Sequence, residues 1–161
     1  MLFHVPFVLT LILVPQHIHP QPAAGDTVPP SSLTADAVRQ LLDGDGMGLA
    51  RPAEMNDHPG PKHLLERSKE LGLTTEQEKE ISAIRQQVVD RAKPLGRAIV
   101  DAERQLDAAF KSGMLTDGDL QKRLQLIAGL QAELRMVHLR AHLVTKPILT
   151  AEQVRRYYER R

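Results

Sequence analysis

Apolar side chains recur every three to four residues along two long stretches of this 161-residue chain. The first stretch carries them at Ile81, Ile84, Val88, Ala92, Leu95, Ile99, Ala102, Leu106 and Ala109. The second stretch carries them at Leu120, Leu124, Ile127, Leu130, Leu134, Val137, Ala141 and Val144. This spacing puts the apolar side chains on one face of an α-helix. The pattern therefore predicts an all-α chain built on two long amphipathic helices.

Glycine and proline mark where these helices begin and end. The segment "KSGMLTDGD" between the stretches predicts a turn, with Gly113 ending one helix and Thr116 or Asp117 capping the next. Pro147 ends the second helix because the residue before a proline avoids the helical conformation. Pro94 lies inside the first stretch, but the apolar pattern continues in phase beyond it. We therefore expect a kink there rather than an end.

The pattern is shorter and more interrupted before these two helices. A short helix is predicted over residues 34–42, and a loop dense in glycine and proline follows it. Pro61 suits the first position of a helix and Gly72 suits the position after its end, so we expect one helix over "PKHLLERSKEL". Residues 25–60 are interpreted as a linker that contains the short helix, and residues 61–161 as the folded helical domain.

Two long helices joined by a short turn predict a long antiparallel helical hairpin with short flanking helices. Two helices alone cannot bury both apolar faces, because each face needs another element against it. The flanking helices or a second copy of the chain must supply that cover. We therefore expect a homodimer.

The first 24 residues have the character of a secretory signal peptide. The segment "MLFHVPFVLTLILVPQ" is apolar and uncharged, and it is shorter than the roughly 20 apolar residues that span a bilayer. Small residues at Ala23, Ala24 and Gly25 follow it, as they do around a cleavage site. Export is the favoured interpretation. An uncleaved membrane-associated segment and a misassigned start codon are the alternatives.

Composition excludes several classes of function. The chain has no cysteine, which rules out disulfides, thiolate metal sites and a cysteine nucleophile. Its net charge of +1 is too small to attract the negatively charged backbone of nucleic acid strongly, so no nucleic-acid partner is expected. It has no phosphate-binding loop, no glycine-rich nucleotide turn and no serine in a nucleophile elbow. We therefore expect a protein that is not an enzyme.

Two nearly identical pentapeptides begin charged, helix-favouring runs. They are "LTTEQ" at residues 73–77 and "LTAEQ" at residues 149–153. A threonine followed three residues later by glutamine is a capping box, and the preceding leucine stands where a hydrophobic staple belongs. Each pentapeptide therefore predicts a helix start. The motif residues are Leu73, Thr74, Gln77, Leu149, Thr150 and Gln153.

An exported helical chain with two Leu-Thr-x-x-Gln motifs resembles the Spy/CpxP family of bacterial periplasmic proteins. The resemblance covers about residues 60–161. The segments "GMGLARPAEMNDHPGPKHLLE" and "ELRMVHLRAHL" look most like its heavy-metal branch of CnrX-like sensors and zinc-associated ZraP proteins. The resemblance implies a periplasmic, non-enzymatic protein of envelope-stress or heavy-metal response. Such proteins act as metal sensors, as ATP-independent chaperones of unfolded clients, or as inhibitors of a membrane stress-signalling protein.

His138 and His142 are the clearest candidates for metal ligands. Their i, i+4 spacing puts both imidazoles on one helical face, where they can bind one metal ion. Leu139 stands where a zinc protease carries its catalytic glutamate, so the hydrolytic motif is missing. The alternative is a half-buried histidine that a neighbouring carboxylate satisfies.

The predicted hairpin suggests the remaining ligands. Folding about the turn brings His138 near Asp90 and His142 near Gln86. The helix that begins at Pro61 could bring His63, with Glu66 or His58, toward the open end of the hairpin. Three histidines and a carboxylate would suit Zn, Ni, Co or Cu(II) as the bound metal.

Basic residues interleaved with the apolar faces support the chaperone interpretation. They are Arg85, Arg91, Lys93, Arg97, Arg104, Lys122, Arg123, Arg135 and Arg140. A dimer could present a groove with a basic rim and an aliphatic floor, which would bind non-native chains without sequence preference. The alternative is that these residues are the solvated faces of amphipathic helices.

Overall fold

The computed structural model describes residues 28–159, and every regular element in that range is helical. The elements are α1 (Ala35–Asp43), α2 (Arg51–Glu54), α3 (Pro61–Glu66), α4 (Ser68–Leu71), α5 (Thr75–Lys111), α6 (Asp117–Thr145), a 3₁₀ turn (Lys146–Ile148) and α7 (Ala151–Glu159). The prediction of an all-α protein with a long helix and shorter flanking helices is confirmed for these residues. The predicted signal peptide, residues 1–24, lies outside them.

The longest helix, α5, has 37 residues and is about 55 Å long. Thr74 caps its N-terminus, as the first pentapeptide predicts. Pro94 lies inside the helix without ending it, in agreement with the unbroken apolar pattern. The kink at this proline stays a prediction.

The second long helix, α6, begins after a five-residue connection from α5. Of the two candidate caps, Thr116 is the one that acts, because its hydroxyl accepts from the backbone N–H of Asp119 at 3.2 Å. Regular α-helix ends at Thr145, and Pro147 lies in the 3₁₀ turn that follows. The α-helix thus ends just before Pro147 as predicted, but Lys146 keeps helical backbone angles of φ −53° and ψ −46°, so the predicted reason is wrong.

A hydrophobic core joins α1, α5 and α6. Its buried members are Leu41, Ala92, Ile99, Val100, Leu134 and Val137. Helix α1 approaches α5 so closely that a Cβ built on Gly96 would lie 1.9 Å from the Leu41 carbonyl oxygen. Only glycine allows this approach, so Gly96 sets the position of α1 on α5.

A second hydrophobic core lies around the C-terminal helix α7. Its buried members are Leu64, Leu71, Ile81 and Tyr157. Leu73 and Leu149, the leucines of the two pentapeptides, pack against its edge. The core thus joins α3, α4, the start of α5 and α7, and Tyr157 is one of its fully buried side chains.

The helix predicted over residues 61–71 is interrupted at Arg67, which separates α3 from α4. This segment contains no internal glycine or proline that would mark a break. The Arg67 guanidinium donates to the Tyr157 carbonyl at 2.9 Å and lies 5.1 Å from the Tyr157 ring centroid. We attribute the interruption to this contact with α7, which the local sequence does not encode.

The segment interpreted as a linker has more structure than its composition predicts. It contains α2, which begins at Arg51 inside the predicted glycine- and proline-rich loop and has Pro52 in its first turn. Its earlier part is hydrogen-bonded to α5, because the Ser31 backbone N–H donates to Asp107 at 2.6 Å and the Ser32 hydroxyl donates to Glu103 at 2.7 Å. The Ser31 hydroxyl also donates to Asp107, and these bonds lower the pKa of that carboxyl.

Candidate functional site

His138 and His142 lie side by side on α6 and face a cleft of about 440 Å³. Both side chains are buried, with 7% and 6% of their surface exposed. The opposite wall of the cleft is formed by the loop between α1 and α2, by α2 itself and by the start of α3. We call this feature the histidine cleft. The predicted histidine pair is therefore brought together on one face, and it is covered rather than solvated.

The turn before α3 fixes the orientation of His142. The Nδ1–H of this ring donates to the backbone carbonyl of His58 at 2.7 Å. Because a carbonyl can only accept, Nδ1 carries a proton, which leaves Nε2 as the ring nitrogen that could bind a metal ion. Gly60 packs against the same ring, since a Cβ built there would lie 2.7 Å from Cε1 and 3.0 Å from Nε2.

The ring of His138 has a different environment. Gly46, in the loop between α1 and α2, lies against its Nδ1 edge, since a Cβ built on that glycine would be 3.6 Å from Nδ1. Its Nε2 atom is buried and has no hydrogen-bond partner. A buried polar atom without a partner is unfavourable and calls for a specific explanation.

Burial lowers the pKa of His138 below its ordinary value of 6.5, because an imidazolium loses hydration in the cleft. The neighbouring His142 lowers this pKa further by charge repulsion, whereas the carboxylate of Asp45 raises it. The net shift keeps His138 neutral near pH 7. A neutral imidazole is the form that binds a metal ion.

The other two predicted ligands are placed less favourably. His63 lines the histidine cleft, but its side chain is about half exposed and its Nδ1 lies 3.0 Å from a carboxylate oxygen of Glu66. Glu66 is itself half exposed and does not line the cleft. Within residues 28–159, no three histidine or carboxylate side chains are already grouped around a possible metal position.

The residues of α5 that reach the cleft differ from those expected. They are Arg85, Val88 and Val89. Gln86 and Asp90, predicted to lie beside the histidines, are exposed and hydrogen-bond to each other at 2.8 Å. The prediction counted residues from the turn between the two long helices. That count gives the height of a residue along its helix, but it does not give the direction in which the side chain points around the helix axis.

Sequence reasoning missed the carboxylates of the opposite wall. Asp45 and Glu54 line the histidine cleft, from the loop after α1 and from α2. The segment "GDGMG" offered a signal, because an acidic residue between glycines in a loop is a common setting for a ligand. Its proximity to His138, more than 90 residues later, is a property of the fold alone.

The two pentapeptide motifs are far apart in the sequence but lie next to each other in the fold. Both capping boxes form, with Thr74 accepting from the Gln77 N–H and Thr150 accepting from the Gln153 N–H at 3.2 Å each. The Gln77 and Gln153 side chains also hydrogen-bond to each other. We call these two side chains the glutamine pair. The repeat therefore does more than begin two helices, because it joins them.

Large apolar side chains are exposed near the connection between α5 and α6. Phe110 is 60% exposed, Met114 81%, Leu124 49% and Leu126 54%. Leu124 belongs to the predicted apolar face of α6, so that face is covered at Leu134 but not at its beginning. No element in the described part of this chain covers it.

Comparison of the chain with family models, with curated proteins and with solved structures gives no match. Among residues 28–159, no helix combines the length and the apolar character that crossing a membrane requires.

Proposed function

We propose that this protein binds a divalent transition-metal ion, of the Zn, Ni, Co or Cu(II) type, in the histidine cleft. The observation that carries the proposal is the pair of imidazoles itself. The Nδ1–H of His142 is held by a backbone carbonyl, which leaves Nε2 as the nitrogen for a metal ion, and His138 has a buried Nε2 without a partner. Metal-binding histidines typically donate their other ring N–H to a carbonyl or carboxylate in this way.

The residues fit the donor set of such an ion in part. Two neutral imidazoles are good ligands for these metals, and His63, Asp45 and Glu54 lie in the walls of the same cleft. The ion would be held by His138 and His142 together with one or more of these side chains after a local movement. A bound ion would supply charge and fixed geometry, and the protein residues would orient it and limit access of water.

The proposal is tested by isothermal titration of the purified chain with Ni, Co, Cu and Zn. We expect binding of one ion per chain, and we expect His138→Ala/His142→Ala to abolish it. The matched control is Met136→Ala/Arg140→Ala, which changes two exposed positions at the same spacing on the same helix. Heat signals that are the same in the histidine variant and the control would refute the proposal.

The biological setting that we propose is a periplasmic, non-enzymatic role in heavy-metal or envelope-stress response, as a sensor or resistance factor. The support is the Spy/CpxP resemblance of the two pentapeptides and the apolar N-terminal segment. N-terminal sequencing of the mature protein tests export. An intact Met1 on protein recovered from the cytoplasm would contradict it.

We also propose that α5 and α6 form the antiparallel hairpin expected from the sequence, and that the chain is a homodimer. Support comes from the five-residue connection, from the core that the two helices share, and from the exposed apolar side chains near the connection. Spin labels at Ser82 and Val144, which are exposed, would lie near each other in a hairpin and far apart in an extended arrangement. A chain that stays monomeric at micromolar concentration in ultracentrifugation would contradict the dimer.

Client binding is a second candidate function, and the exposed apolar side chains around the α5–α6 connection favour it. Exposed apolar patches on soluble proteins commonly mark interaction sites. We expect the chain to suppress aggregation of an unfolded client without ATP, and Phe110→Ser/Met114→Ser to weaken that effect. Met136→Ser/Leu143→Ser removes exposed apolar surface at other positions and serves as the control. No suppression at tenfold excess of the wild-type chain would exclude this function.

A further inference from the structure

The unpartnered Nε2 atom of His138 indicates that the histidine cleft is incomplete in the conformation described above. The side chain is more than nine-tenths buried, so water does not replace the missing partner easily. Proteins rarely keep such an atom without a reason, since its desolvation is not compensated. A ligand bound to this atom would provide the compensation, and it would reach the atom only after a local movement, because Nε2 exposes less than 1 Å² of surface.

The loop that lies against this ring carries a carboxylate next to the point of contact. Gly46 lies against His138, and Asp45 precedes it and lines the cleft. Asp45 is close enough for its charge to act on His138. Its ion pair is a long contact of 4.0 Å to the half-exposed Lys62. An ion pair of this kind contributes little to stability, so Asp45 can change partner at low cost.

The loop is held at both ends, because the Asp45 N–H donates to the Gln40 carbonyl at 2.9 Å and the Gly48 carbonyl accepts from the Arg51 N–H at 3.1 Å. Gly44, at φ 73°, lies against α5, because a Cβ built on it would be 3.2 Å from the Lys93 side chain and 3.3 Å from Ala92. Gly48, also at φ 73°, has no atom within 4 Å of the same construction. Three glycines in five residues give this segment a wide choice of backbone conformations.

Two other candidate ligands in the cleft already have short-range partners. His63 is hydrogen-bonded to Glu66 at 3.0 Å. Asp43 belongs to α1 and pairs with Arg39 on the next turn of that helix at 3.8 Å. Asp45 therefore combines a position on a glycine-rich loop, a weak present partner and direct proximity to the histidine pair.

We propose that Asp45 becomes the third ligand of an ion held by His138 and His142, and that the loop of residues 44–48 closes over the cleft when the ion binds. This inference rests on the metal binding proposed above. Two imidazoles and one carboxylate would leave one position of a tetrahedral ion for water, whereas structural zinc sites fill all four positions with protein ligands. Because α1 ends at Asp43, directly before this loop, closure of the loop on metal binding would also act on the end of α1.

The test uses Co(II) as the probe, on the purified full chain. Its visible absorption bands report the number and type of ligands, and competition with a chromophoric chelator gives the affinity. We expect Asp45→Asn to weaken Co(II) binding at least tenfold and to change the bands. Asp43→Asn is the matched control, because it removes a neighbouring carboxylate that also lines the cleft and lies on α1. We expect its affinity to equal that of the wild type.

Limited proteolysis adds a readout of the loop itself. We expect Co(II) to protect residues 44–48 from cleavage in the wild type and in Asp43→Asn, but not in Asp45→Asn. Unchanged affinity and unchanged protection in Asp45→Asn would overturn the inference. If binding is lost in His63→Ala instead, the third ligand is His63 and the inference fails while metal binding stands. If the wild-type chain binds no Co(II), Ni, Cu or Zn, the proposed function itself fails.

Discussion

The side-chain amides of Gln77 and Gln153 donate to each other. Nε2 of Gln77 lies 2.9 Å from Oε1 of Gln153, and Nε2 of Gln153 lies 3.0 Å from Oε1 of Gln77. Each oxygen also accepts from the backbone N–H of its own capping threonine, and each nitrogen also donates to a carbonyl, that of Ile148 or that of Gly72. Both amides thus use all of their donors and acceptors. The glutamine pair closes α5 and α7 against each other with a fully satisfied polar network.

The first prediction concerns this glutamine pair. Gln77→Ala and Gln153→Ala should each lower the free energy of unfolding by about 1–3 kcal/mol, because each leaves part-buried partners of the lost amide unsatisfied. The double variant should lose less than the sum of the two, with a coupling energy of about 0.5–3 kcal/mol. Urea unfolding monitored by circular dichroism measures all three. Gln125→Ala, on an exposed part of α6, is the control, and additive losses would contradict a coupled pair.

The second prediction concerns the close approach of α1 to α5. Gly96→Ala should destabilise the protein by about 2 kcal/mol or more, because a methyl group there would overlap the Leu41 backbone and displace α1. Gly129→Ala is the control on α6, since nothing lies within 4 Å of its added methyl group. It should raise stability by about 0.5–1 kcal/mol through the higher helix propensity of alanine. Equal effects at the two positions in thermal unfolding would refute the contact.

The third prediction concerns pH. Because the folded-state pKa of His138 is lowered, the folded chain binds fewer protons than the unfolded chain between that lowered value and 6.5. Stability should therefore be complete above pH 6.5 and should fall as the pH decreases through this window. His138→Phe should flatten the dependence. Urea midpoints from pH 7.5 to pH 5 in metal-free buffer measure it, and parallel curves for the two proteins would contradict the assignment.

The fourth prediction concerns the support of His142. Gly60→Ala should weaken metal binding by about tenfold to a hundredfold, because the added methyl group would push the ring away from the His58 carbonyl. Gly118→Ala is the control, because Gly118 is on α6 outside the histidine cleft and no atom lies within 4 Å of its added methyl group, so the affinity should not change. Competition titration with a chelator compares the two variants. Equal affinities for the two variants would contradict the proposed support of His142.

Most of the secondary structure of this chain is determined by residues that are close together in the sequence. The apolar spacing of α5 and α6, the cap at Thr74 and the stop at Gly72 were all predictable, and the cap of α6 was narrowed to Thr116 or Asp117, because each depends on residues within one or two turns of a helix. The interruption at Arg67 was not predictable. It accompanies contacts with α7, about ninety residues further along the chain.

Only the part of the candidate site that depends on local helical spacing could be predicted from the sequence. The pairing of His138 with His142 follows from helical spacing alone. The residues that face them depend on how α6 is rotated and on how the early loop returns to it. Neither Asp45 nor Gly60 carries a local signal that connects it with α6.

The sequence by itself determined where the two long helices α5 and α6 lie, which of their faces are apolar, and that two pentapeptides would form the same cap. Only the tertiary structure decided that the two caps bond to each other, that α1 crosses α5 at Gly96, and that the early loop covers the histidines. The physical reason is range. Capping and amphipathic spacing act within a few residues, whereas helix rotation and loop placement are set by packing between segments that are far apart in the chain.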